Sequence, residues 1–222
     1  YLKQHLKVAF RISLKHTKEP YAVSAWLRRG ELQAAKLPEK TYSEKKLKVA
    51  LTEIKTIMAK HPVDFDKKLQ SICLNAGVKI VYTPCLPKAP ICGSTRWIND
   101  TPLIQLTDRY KRNDSFWFTF FHEVGHIVLH GKKDIFLENI DYSDKDKQKE
   151  READDFAIQW TLTKKEEDQI MKAGVPLNAD TLKGFARKFN THPSIIIGRL
   201  QHERIIPYSL GREFFEQVKF DN

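Results

Sequence analysis

Residues 121–131 read FHEVGHIVLHG, with His122 and His126 four positions apart and Glu123 beside the first. On an α-helix, positions four apart share a face, so both imidazoles reach one point. Imidazole nitrogen is a ligand for zinc, and a carboxylate next to such a pair can reach a water held by the same ion. The ion lowers the pKa of that water and polarises a carbonyl. Glu123 would then take the proton as general base and hand it to a leaving amine. The spacing therefore points to metal-assisted hydrolysis of an amide, with His122 and His126 as ligands. Imidazole and carboxylate also accept manganese and other divalent ions, so the spacing alone does not select zinc.

The motif lies inside SFWFTFFHEVGHIVLHG, an apolar, helix-compatible stretch. Ionisable groups buried there need a partner, and a metal ion supplies one. A catalytic zinc site takes three protein ligands and keeps an open position. His130 extends the same face by one more turn and is expected to line the mouth of the site rather than bind. Glu150 and Glu152, in KEREADDFAIQW, are the other candidates. That segment reads as a helix with Ala153, Phe156, Ala157 and Trp160 facing inward. Two residues apart, the two glutamates point in different directions, so one of them is expected to bind.

The elements that must position these groups follow from pattern. Helices are predicted over 20–37, opening at Pro20 and weakened by Gly30, over 43–61 with Ser43 as N-cap, and over 64–77 closed by Gly77. VKIVY (78–82), STRWI (94–98) and LIQLT (103–107) read as short strands, the last two separated by the turn-forming NDTP. From about 113 onward the chain reads as helical. Strands before the motif and helices after it give an α+β fold: a small, mostly antiparallel three-stranded sheet packed on a helical bundle that carries the H-E-x-x-H helix. Phe116, Trp117, Phe118, Phe120 and Phe121 read as core. His192 is expected to cap or turn into a final helix, and His202 and Arg204 to be solvated helix-end groups. Arg96 and Trp97 lie on the strand before the motif, where an extended substrate could pair with a strand edge and Arg96 contact it. Arg96, His130 and Tyr142 are the candidate donors to a developing oxyanion.

The chain has 222 residues, 41% hydrophobic, with a net charge of +10. Residues 1–60 hold eleven Lys and three Arg against five Glu, whereas the remainder balances 24 basic against 23 acidic side chains. Such a local excess steers a protein toward phosphates, or covers solvated helix faces. The three cysteines, Cys73, Cys85 and Cys92, form no C-x-x-C pair and are expected as reduced thiols in a cytoplasmic protein. No apolar run is long enough to cross a membrane, and the opening YLKQHLKVAF has no signal-peptide pattern and no methionine, so a fragment with sequence missing upstream is expected.

Three stretches together, FHEVGHIVLHG, EREADDFA and FARKFNTHPSIIIGRLQHERIIPYS, resemble the ImmA/IrrE family of zinc-dependent peptidases over about residues 62–208. The resemblance implies a gluzincin-like zinc site, with Glu152, the glutamate before the alanine of the acidic signature, as third ligand to His122 and His126. Asp154 or Asp155 then stands behind the ligands. PYAVSAWLRRGELQAA with FWFTFFHEVGHIVLHGKK is similar to family members fused behind an Xre-type helix-turn-helix, as in HigA-like antitoxins and phage-type repressors. That likeness implies residues 1–60 as the tail and linker of a DNA-binding part whose recognition helix lies upstream of Tyr1, and 61–222 as the peptidase domain. The expected partners are a repressor-like protein substrate or a cognate toxin, DNA through the upstream part, no membrane, and a second copy of the chain in a homodimer. The competing function is a non-catalytic antitoxin or repressor that uses the zinc fold as sensor or scaffold.

Overall fold

The computed structural model describes residues 20–86, 91–132, 136–137 and 144–220. Among them the fold is α+β. In chain order it runs α1 (Pro20–Ala34), α2 (Glu44–Lys60), α3 (Phe65–Asn75), β1 (Lys79–Tyr82), β2 (Gly93–Ile98), β3 (Thr101–Leu106), α4 (Asn113–His130), β4 (Phe136–Leu137), α5 (Asp144–Thr161), α6 (Lys164–Ala173), α7 (Ala179–Phe189) and α8 (Pro193–His202). None of the described helices is long and apolar enough to cross a membrane.

The sheet is mostly antiparallel, as expected, with one parallel pairing, and it has a fourth strand of two residues, in the order β1-β3-β2-β4. β2 and β3 form an antiparallel hairpin over a two-residue turn, Asn99–Asp100, with Asn99 at φ 55°. β3 enters between β1 and β2, so it runs parallel to β1. β4 pairs with Ser94 and Thr95 on the outer side of β2. The edge expected for substrate is thus covered at those two residues.

Strand alternation divides the sheet into two faces. Ile80, Ile104 and Leu106 join the main core with Phe116, Trp117, Phe120 and Phe121 of α4. Phe118 is the exception to the expected all-core aromatic group, being only half-buried. Val81 and Leu103 face the other way and pack on Ala34 of α1. Between them that second face carries a buried polar network. Arg96 donates to the Leu27 carbonyl and to Gln105 Oε1, each at 2.8 Å, and Gln105 Nε2 donates to the Trp26 carbonyl at 2.8 Å. This network explains why Gly30 does not weaken α1. A side chain at 30 would overlap the Gln105 carboxamide, so glycine is what lets the helix approach the sheet.

The chain passes position 60–61 without a break in packing. Ser43 caps α2 by accepting from the Lys46 amide, and Leu47, Leu51, Ile54 and Met58 are buried in the same core as α4. His61 ends α2 in the left-handed region at φ 39°. Gly77, at φ 79°, makes the turn from α3 into β1.

Candidate metal centre

Helix α4 lies between the sheet and α5. Its aromatic first half fixes it in the core, and its second half brings the motif to the α5 side. At Gly125 the two helices nearly touch: a Cβ there would stand 3.1 Å from both Ala153 Cα and Phe156 Cβ. The inward face of α5 then runs through Glu150, Ala153, Asp154 and Ala157, the i, i+3, i+4, i+7 positions of one stripe.

Three donors converge. His122 Nε2 and His126 Nε2 are 3.0 Å apart, Glu150 Oε2 is 3.2 Å from His122 Nε2, and Glu150 Oε1 is 3.5 Å from His126 Nε2. Among the described residues, this is the His/Cys/Asp/Glu group able to hold a metal ion. Donors about 2.0–2.1 Å from a tetrahedral zinc ion would stand about 3.3 Å from one another, and the observed separations bracket that value. Two imidazole lone pairs and a carboxylate this close repel unless a cation lies among them. Glu150 Oε1 is buried with no hydrogen-bond partner among the described residues. Burial, reinforced by His122 and His130, holds the His126 pKa far below the ordinary histidine value, so its imidazole is neutral and able to donate a lone pair. The donor set fits zinc.

The sequence reading placed Glu152 with the histidines, and the structure places Glu150 there. Residues two apart on a helix differ by about 200° around its axis. With Glu150 on the inward stripe, Glu152 is turned aside: its Oε2 lies 3.0 Å from His130 Nε2, and its Oε1 accepts from Gln148 Nε2 at 2.9 Å. Those two hydrogen bonds, Gln148 first, hold its carboxyl below the usual range. His130 in turn sits with Nδ1 2.9 Å from His126 Nδ1. On the other arm, His122 Nδ1 meets Asp154 Oδ1 at 2.9 Å. Of the two aspartates behind the site it is therefore Asp154 that touches a motif histidine, while Asp155 is exposed.

Glu123, next to His122 on α4, is fully buried, with its carboxylate near Gly93 of β2. Its backbone carbonyl accepts from Thr95 Oγ1 at 2.9 Å. A Cβ at Gly93 would lie 2.5 Å from Glu123 Oε1 and 2.6 Å from the Thr119 methyl. Gly93 thus makes room for the carboxylate, a role that no sequence pattern signals.

The chain carries an IrrE N-terminal-like domain: the Peptidase_M78 family model matches residues 73–200. The chain belongs to this family. The matched span holds the sheet, the motif helix and the α5 carboxylates, and both α1 and α2 lie outside it. No curated protein matches the chain. The IrrE-like domain is a metallopeptidase-type fold of a zinc-dependent family.

The remaining candidates resolve differently. Arg96 is not available to a substrate or an oxyanion. Its side chain is buried on the α1 face, opposite to Thr95 and Glu123, and is held by Ser94, Leu27 and Gln105. His192 is the N-cap of α8, accepting from the Ser194 amide. His202 and Arg204 are exposed at its end. Tyr142 lies outside the described residues.

Proposed function

We propose that this IrrE-like domain is a zinc-dependent endopeptidase in which His122, His126 and Glu150 hold the metal and Glu123 is the general base. The observation that carries the reading is the convergence of three donors beside a fully buried glutamate that is not one of them. A structural site has no use for a carboxylate in that place, whereas hydrolysis needs one.

The ligand set determines the protons. For both Nε2 atoms to offer lone pairs, each Nδ1 must carry hydrogen. His122 Nδ1–H then donates to Asp154. His126 Nδ1–H donates to the Nδ1 lone pair of His130, which leaves the His130 proton on Nε2, facing Glu152 Oε2. Every neutral imidazole has one donor and one acceptor, and this arrangement uses all of them. Asp154 and the His130–Glu152 pair are thus positioning groups that fix tautomer and ring orientation.

A bound zinc ion supplies a water of lowered pKa and polarises the scissile carbonyl. Glu123 accepts the proton of the attacking water as the new C–O bond forms, and returns it to the amide nitrogen as the C–N bond breaks. The substrate is a polypeptide, which we assign to the repressor-like regulators expected from the sequence. The +9 carried by residues 1–60 favours a second role, in which an upstream part binds DNA and the domain acts without cleavage.

The test is metal content together with cleavage of candidate repressors, for the wild type and Glu123→Gln. We expect both proteins to bind zinc and the variant to lose roughly 10²–10⁴-fold in turnover. A wild type that binds no zinc sinks the site. Zinc-loaded protein that cuts no better than Glu123→Gln leaves the regulator role.

A further inference from the structure

One helical turn before His122 and Glu123, α4 lines a cavity of about 260 Å³ that the chemistry above does not use. It lies between the first half of α4, the end of α5 and α8. Phe118, Leu162, Ile195, Ser115, Thr119 and the exposed His202 are among the residues that line it. Its link to the site is direct. Thr119 is one turn before Glu123, and the Thr119 methyl and Glu123 Oε1 both stand within 2.6 Å of the point a Gly93 Cβ would occupy. Phe118 is likewise one turn before His122.

We propose that this cavity is a substrate subsite that takes an uncharged, apolar side chain, aromatic or long aliphatic, from the residue on the leaving-amine side of the scissile bond. The proposal rests on the peptidase reading above. Three observations select the occupant. Phe118, Leu162 and Ile195 give it an apolar lining. The charges at the boundary are already matched: Asp114 is held by Arg112 through two bonds of 3.0 and 2.7 Å, and Arg199 stands 3.6 Å from Glu167 and 3.4 Å from Glu203. A charged side chain entering there would lose water while Asp114 and Arg199 are already engaged, an exchange that disfavours charge. The volume also exceeds the roughly 150 Å³ of an apolar cavity that holds benzene, so a phenyl ring fits and a methyl group leaves most of it empty.

Proximity selects the side of the bond. Glu123 returns its proton to the leaving nitrogen, so the residue bearing that nitrogen is the one closest to Glu123. Thr119, whose methyl and Glu123 Oε1 meet at Gly93, lines the cavity. On that ground the residue that bears the leaving nitrogen is the one assigned to the cavity.

The test uses the full chain loaded with zinc and four hydroxamates that differ in one substituent: benzyl, isobutyl, methyl or carboxymethyl. The hydroxamate binds the metal, and calorimetry reads the affinity. We expect benzyl and isobutyl to bind roughly 10- to 100-fold tighter than methyl, and carboxymethyl to bind worst. Ser115→Phe, which fills the cavity, and His202→Trp, which adds bulk to its lining from an exposed position, should each remove the advantage without weakening the methyl probe. Equal affinity for the four probes on zinc-loaded protein overturns the subsite alone, as does a preference for carboxymethyl. Discrimination that survives both variants overturns it too. A chain that takes up no zinc overturns the peptidase reading and the subsite with it.

Discussion

Two groups of buried histidines lie at opposite ends of α4, and they do different things. At the C-terminal end, His122 and His126 turn their Nε2 atoms toward each other and toward Glu150. At the N-terminal end, His61 and His192 have ring centres 6.0 Å apart, yet each nitrogen engaged there has its own partner. His61 Nδ1 accepts from Trp117 Nε1 at 3.0 Å. His192 Nδ1 lies 2.8 Å from Ser194 Oγ, and its Nε2 lies 2.9 Å from Glu216 Oε1. One pair closes helix ends, since His61 terminates α2 and His192 caps α8. The other pair brings two Nε2 atoms and a carboxylate to one point, an arrangement that could hold a metal ion. Burial and proximity are common to both, so neither marks a metal centre. Convergence of lone pairs on one point, with a carboxylate, does.

The strongest way to break this contrast is to remove the carboxylate. Glu150→Ala should lower zinc affinity by more than the roughly 10- to 100-fold that loss of an outer-shell partner costs. His61→Gln and His192→Asn should leave it unchanged. Competition against a chelator of known affinity measures all three. Glu152→Ala is the control that matters most, because it carries the same charge change two residues away. If it weakens zinc more than Glu150→Ala does, the ligand set is reversed.

The partners behind the ligands sharpen the contrast further. Asp154→Asn keeps size but weakens the acceptor for His122 Nδ1–H, and should cost about 10- to 100-fold in zinc affinity. His130→Ala should fall at the lower end of that range. Its carboxylate Glu152 is half-exposed and acts on His126 through one imidazole more. In the His130→Ala background, Glu152→Gln should cost almost nothing further, because the two side chains act in series. Additive losses would mean that they act separately.

The motif and the α+β class were legible because each depends on local spacing: four residues on a helix, two on a strand. The carboxylate that meets the two histidines was not, because choosing between Glu150 and Glu152 requires the rotation of α5 against α4. The close approach at Gly125 sets that rotation, and the amphipathic pattern defines an inward stripe without saying which edge meets the histidines. The acidic signature narrowed the choice to two residues, and the family resemblance took the neighbour. The parallel pairing of β1 with β3, and β4 itself, were hidden for a related reason. Strand order depends on which strand inserts between two others, and two paired residues leave no pattern. Arg96, offered as a substrate or oxyanion contact, is instead buried against α1, because nothing in the strand pattern shows which helix covers that face.

The smallest predicted effect concerns acid and belongs to the other histidine pair. Burial lowers the pKa of His61 to about 4, and it lowers His192 as well. The unfolded chain binds these protons near pH 6.5, whereas folded His61 takes its own only near 4. Between those values the unfolded state holds more protons, so stability falls as pH drops from about 6.5 to 4, and His61 adds no further loss below that. With solvent screening allowed for, the His61 share is about 1–2 kcal/mol. Thermal unfolding of zinc-free protein across this window should therefore be less steep for His61→Gln, whose amide oxygen can still accept from Trp117. His122, His126 and His130 are present in both proteins, so their titration cancels in the difference. Identical slopes would show that the Trp117–His61 contact tolerates the extra proton, and that the N-terminal pair is not a purely neutral one.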